Sequence, residues 1–131
     1  MHFRLKQRGV TLLELMITIM VIGILGAIAV PTYRNYMMKA NRSDAKIALT
    51  NDAQQLERCY TTTNTYVGCL TLPAPSPQGF YTIDWEVQPT ALTPTIYRMK
   101  ATPVGTQAND TQCALFKYDQ ASVRLPAANC W

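Results

Sequence analysis

Histidine is almost missing from this 131-residue chain: the only one is His2, in a basic N-terminal tip expected to be removed. There is no C-x-x-C pair and no glycine-rich phosphate loop. The scattered serines and acids form no recognisable nucleophile, base or metal set. The chain therefore reads as a non-enzyme with no cofactor and no metal. Acid is absent from residues 1–9, which carry Arg4, Lys6 and Arg8. Without those three, nine basic side chains face eight acidic ones, so the formal +4 falls to +1. That near-neutral balance gives no global signal for nucleic acid. Internal repeats and low-complexity tracts are also lacking. The length suits one domain with an anchor and excludes two full domains.

Charge is scarcest between Val10 and Val30, where Glu14 stands alone. At about 1.5 Å per residue, this run matches the thickness of a bilayer core. The basic tip should stay on the cytoplasmic side. Two export readings compete. Ala27 and Ala29 offer a signal-peptide site, with cleavage after Ala29. Alternatively, cleavage follows Gly9 and the apolar run is retained. The length of the run and the carboxylate favour the second, because a lone acid at depth costs about 2.5–3.5 kcal/mol.

Past Pro31, Met38, Ala45, Leu49, Ala53, Leu56 and Tyr60 recur on one helical face. One helix is predicted from about Val10 to Cys59, apolar all round at first and one-sided later. Gly23, Gly26 and Pro31 are its weak points. "LPAPSPQG" reads as a connector without regular structure. "FYTIDWEV" then alternates, with Tyr81, Ile83, Trp85 and Val87 on one face. "TIYRMKAT" groups Tyr97, Met99 and Ala101 against Ile96, Arg98 and Lys100. "CALFKYD" and "ASVRL" read as a third and a shorter fourth strand. An antiparallel meander of four strands, covered by the amphipathic half of the helix, gives an α+β fold.

Cys59 and Cys69 flank a short loop at the helix end, and Cys113 and Cys130 flank the terminal one. An even count behind an export signal suggests two disulfides, although four cysteines allow three connectivities. Lys39, Arg42 and Lys46, with Arg34 one turn earlier, read as a solvated or headgroup-facing stripe. In a fibre it could pair with Asp44, Asp52 or Glu57 of neighbouring subunits.

"KQRGVTLLELMITIMVIGILGAIAVPTYRNY" resembles the prepilin signature of type IV pilins and pseudopilins. The match covers about the first third of the chain. Gly9 matches the residue before the prepilin peptidase cut, Glu14 the carboxylate of the mature helix, and Pro31 the kinking proline. Val10 stands where a phenylalanine is usual, and the resemblance implies its N-methylation. It also implies that Glu14 pairs with the new Val10 ammonium during assembly, satisfying two groups that are costly to bury alone. Gly23 and Pro31 would let the helix melt locally in a fibre.

The head is similar to type IVa pilin heads, with Cys113–Cys130 bounding a C-terminal loop and Cys59–Cys69 as the other pair. "YRMKATPVGTQANDTQCALFKYDQ" and "NCW" are similar to small minor pilins of the PilE kind and their DNA-uptake relatives of the ComP kind. The resemblance implies a basic leader at 1–9, a membrane and assembly helix at 10–37, and a head at 38–131. Its implied partners are other pilin subunits, prepilin peptidase and an inner-membrane assembly platform. Before assembly the chain would sit in the inner membrane with its head in the periplasm, and afterwards in an extracellular pilus. Pilus biogenesis, twitching, adhesion and DNA uptake are the implied functions. A transformation receptor that binds DNA and a type II secretion pseudopilin are the alternatives. For DNA, the candidate contacts are Arg98, Lys100, Lys117 and Arg124, with Tyr97 and Trp131 for stacking.

Overall fold

The computed structural model describes residues 9–126 and 129–131. The leader expected at 1–9 thus lies outside the described residues except for Gly9. The chain divides into two compact units, one ending at Tyr36 and the other spanning Met37–Trp131.

Helix α1 runs Leu12–Thr63, so it starts two residues later and ends four later than the sequence suggests. Thr11 sets the start: its hydroxyl accepts from the Glu14 amide at 3.2 Å. T-L-L-E is therefore the sequence of a capping box, with Glu14 in the first turn where the helix dipole favours an acid. Pro31 lies inside α1, and the helix is assigned without a break through it. At the other end Asn64 takes a positive φ of 55° and donates its amide to Tyr60 O, a left-handed cap.

In the first unit the helix surface is apolar and uncovered: Leu12 is 76% exposed and Ile28 65%. An 18-residue window there reaches a mean hydropathy of 2.5, long and apolar enough to cross a membrane. In the second unit the same helix buries Ala45, Ala48, Leu49, Ala53 and Leu56.

Those residues pack on an antiparallel sheet ordered β1 to β5: Ala74–Pro75, Tyr81–Val87, Arg98–Pro103, Phe116–Asp119 and Arg124–Leu125. Tyr81, Ile83, Met99, Ala101, Phe116 and Tyr118 supply the sheet side of the core. Each large apolar side chain so buried stabilises the head by roughly 1.5–3 kcal/mol.

The sheet has one strand more than the sequence pattern suggested. β1 forms inside the proline-rich connector, where Ala74 pairs with Ile83 and Pro75 with Thr82. Proline is tolerated there because β1 is an edge. The alternation of β2 also fails near its end. A bulge between Trp85 and Val87 places Glu86 and Val87 opposite Arg98, and Val87 is exposed rather than in the core. β4 begins at Phe116, not at Cys113, because two 3-10 turns, Gly105–Asn109 and Thr111–Cys113, precede it.

Candidate functional site

Two disulfides tie the head together. Cys59 joins Cys69 at the end of α1, and Cys113 joins Cys130, fastening the tail to the second 3-10 turn.

The basic stripe expected on α1 is split by the structure. Arg42 is not solvated. It is buried and makes a two-pronged ion pair with Asp110, at 2.6 Å from Nε and 2.8 Å from Nη2. The Arg42 hydrogen bond holds the Asp110 carboxyl below the usual carboxylate range, against the opposing effect of burial. Gln107 completes the network, donating to Met38 O and to the Tyr81 hydroxyl at 3.0 Å each. Lys39 stays exposed and Lys46 half-buried.

Asp44, expected to face a neighbouring subunit, is used inside the head instead. Its carboxylate accepts from the Ser76 hydroxyl, from Gln78 N at 3.0 Å and from Phe80 N at 3.2 Å. It thereby closes the turn between β1 and β2, where Gly79 adopts the positive φ of 76° that a glycine supplies without strain.

The four candidate DNA contacts do not share one face. The register sets Asp84, Lys100 and Lys117 in one row across β2, β3 and β4. Arg98 lies beside them, 3.8 Å from Glu86 and 3.5 Å from Asp119, while Lys117 pairs with Glu86. Arg98, Lys100 and Lys117 are thus met by Asp84, Glu86 and Asp119, and this face is close to neutral. Lys100 is its one cation without an ion pair among the described residues.

Arg124 belongs elsewhere. Its guanidinium carbon lies 5.9 Å from the Tyr118 ring centre and 5.4 Å from that of Trp131. Trp131 packs edge-on against Phe116 and donates its indole N–H to Leu125 O. Tyr97 is 1% exposed. Neither aromatic is therefore placed as an open stacking platform for a base. The DNA reading expects both to be available for stacking; Tyr97 is buried instead and Trp131 is half-buried against Phe116.

Beside Tyr97 and Tyr118 runs a polar groove of about 550 Å³, also lined by Thr50, Gln54, Glu57 and Gln120. Glu57 accepts from the hydroxyls of Tyr66 at 2.8 Å and Tyr97 at 3.5 Å. Burial first, and then Glu57, push the Tyr66 phenol up to about 12, and Tyr97 higher still.

In the first unit, Val10 and Glu14 are exposed. A Cβ added at Gly23 or Gly26 would meet nothing within 4 Å, so these glycines leave open notches on the helix surface.

An apolar helix with an acid in its first turn, continuing into a head built on an antiparallel sheet with a disulfide-closed C-terminus, is the architecture of a type IV pilin. Residues 4–30 match the prokaryotic N-terminal methylation motif. Residues 31–117 match the family described as the type IV minor pilin ComP, DNA uptake sequence receptor, and the chain belongs to that family. A solved type IV pilin from Shewanella oneidensis is similar at 34% identity and a TM-score of 0.59, covering 72% of this chain and 97% of that one. The prepilin peptidase-dependent protein D of Escherichia coli (strain K12) is 56% identical over 39 residues, 30% of this chain and 27% of that protein. The type IV major pilin protein PilA of Myxococcus xanthus (strain DK1622) is 45% identical over 48 residues, 37% and 22% respectively. The matched segment spans about a quarter of the length of these two curated relatives.

Proposed function

We propose that this chain is a minor subunit of a type IV pilus whose head binds duplex DNA for uptake. Residues 10–37 anchor it in the inner membrane and later enter the fibre, and residues 38–131 form the exposed head. A prepilin peptidase cuts after Gly9 and methylates Val10, a reading supported by the methylation motif over residues 4–30. Other pilin subunits and the inner-membrane assembly platform are its partners, with the head in the periplasm before assembly and outside the cell afterwards.

The observation that carries the DNA reading is the match of residues 31–117, most of the head included, to a family described as a DNA uptake sequence receptor. The sheet face gives it chemistry: Lys100 is open to a phosphate, with Arg98 and Lys117 alongside. Phosphate contacts of this kind supply affinity and register and leave sequence reading to other groups.

Deletion of the gene tests the proposal when scored for surface fibres, twitching and transformation. Loss of transformation with fibres retained is the expected result. Unchanged transformation would remove the DNA role, and loss of all fibres would instead make the chain a required building block.

A further inference from the structure

We infer that Glu86 holds down the affinity of the sheet face for the phosphate backbone, so that binding does not become indiscriminate. This rests on the DNA reading and deepens it. Glu86 is the extra residue of the β2 bulge, where it and Val87 together oppose Arg98. Bulges re-aim side chains. Here the carboxylate is brought to two cations at once, Lys117 on β4 and Arg98 on β3.

The two cations are not held equally. Arg98 keeps Asp119 as a second partner at 3.5 Å, whereas Lys117 has Glu86 alone among the described residues. Lys100 and Lys117 are direct cross-strand neighbours, and like charges so placed repel. Glu86 relieves that repulsion in the free protein. A phosphate group could relieve it equally, and Glu86 competes with it. Removing the carboxylate should release one cation, Lys117, for backbone contact.

Each phosphate contact contributes about 0.9 to the slope of log affinity against log salt. One extra contact therefore corresponds to about a tenfold gain at about 50 mM salt. The pair is partly exposed, and glutamine keeps the shape of the side chain, so Glu86→Gln should fold normally.

The experiment is a salt titration of the full chain in non-ionic detergent, binding a short fluorescent duplex of mixed sequence. Glu86→Gln should bind about ten times more tightly at about 50 mM salt, with a slope steeper by about 0.9. Adding Lys117→Ala to the Glu86→Gln background should cancel the gain. Circular dichroism of each variant keeps folding separate from binding. Equal affinity and slope for wild type and Glu86→Gln would overturn the inference while leaving the DNA reading intact. Absence of binding by both at low salt would overturn the two together.

Discussion

The two halves of α1 are one continuous helix with opposite relations to their surroundings. From Leu12 to Tyr36 nearly every apolar side chain is exposed, and the one acid sits in the first turn. From Met37 to Thr63 a stripe of Ala45, Ala48, Leu49, Ala53 and Leu56 is buried in the core with the sheet, while Ile47 stays exposed and the acids Asp44 and Glu57 hydrogen-bond groups of the head. Helix propensity disfavours the first half, which holds Gly23, Gly26 and Pro31, yet both halves are helical. What differs is where the apolar face is completed. The second half completes it within its own chain, so it belongs to a head with its own core. The first half leaves it uncovered within this chain; under the proposed function it is completed in lipid or among other helices, where Glu14 would need a partner.

The largest break in that contrast should come from the second half. Arg42→Ala leaves Asp110 buried without its counter-charge and should cost the head about 3–5 kcal/mol, read by denaturant unfolding. Linkage sharpens the point. The Asp110 carboxyl titrates below its unfolded value, so the ion pair stabilises fully above about pH 4 and that contribution is lost as pH falls through the folded value. In Arg42→Ala this acid-dependent loss should shrink.

Next, opening the Cys113–Cys130 crosslink, which bridges a sequence separation of 17, should cost roughly 3 kcal/mol, seen as a lower midpoint for Cys130→Ser with Cys113→Ser.

A smaller effect is expected in alkali. The Tyr66 phenol is raised to about 12, so the neutral form is favoured by folding. Stability is complete below the unfolded value of about 10 and falls as pH rises from there toward 12. Tyr66→Phe should flatten that decline.

The smallest effect should come from the first half. Ile17→Ala should leave unfolding of the head within about 0.5 kcal/mol of wild type, because Ile17 is 54% exposed. A loss like that expected at Arg42 would end the division between the halves.

Periodicity made the helix and its core stripe legible. Ala45, Leu49, Ala53 and Leu56 are where a helical period places them, and Tyr81, Ile83, Met99 and Ala101 follow a period of two. Long-range polar pairing was not legible. Asp110 is 68 residues from Arg42, and no local pattern joins them. One clue existed, because Arg42 precedes Ala45 by three residues and Leu49 by seven, which puts it on the buried stripe rather than with Lys39. β1 was hidden because a two-residue edge strand containing proline carries no alternation. The bulge at Glu86 was hidden for a different reason: alternation predicts a face but not a slip, and the slip is what brings Glu86 to Lys117.

The measurement that bears most directly on the central claim compares Glu14→Ala with wild type in two assays, recovery in sheared surface fibres and binding of the purified full chain to duplex DNA. The account predicts that the variant inserts in the membrane, is largely missing from fibres and binds DNA as wild type does. Normal recovery of Glu14→Ala in fibres would contradict it.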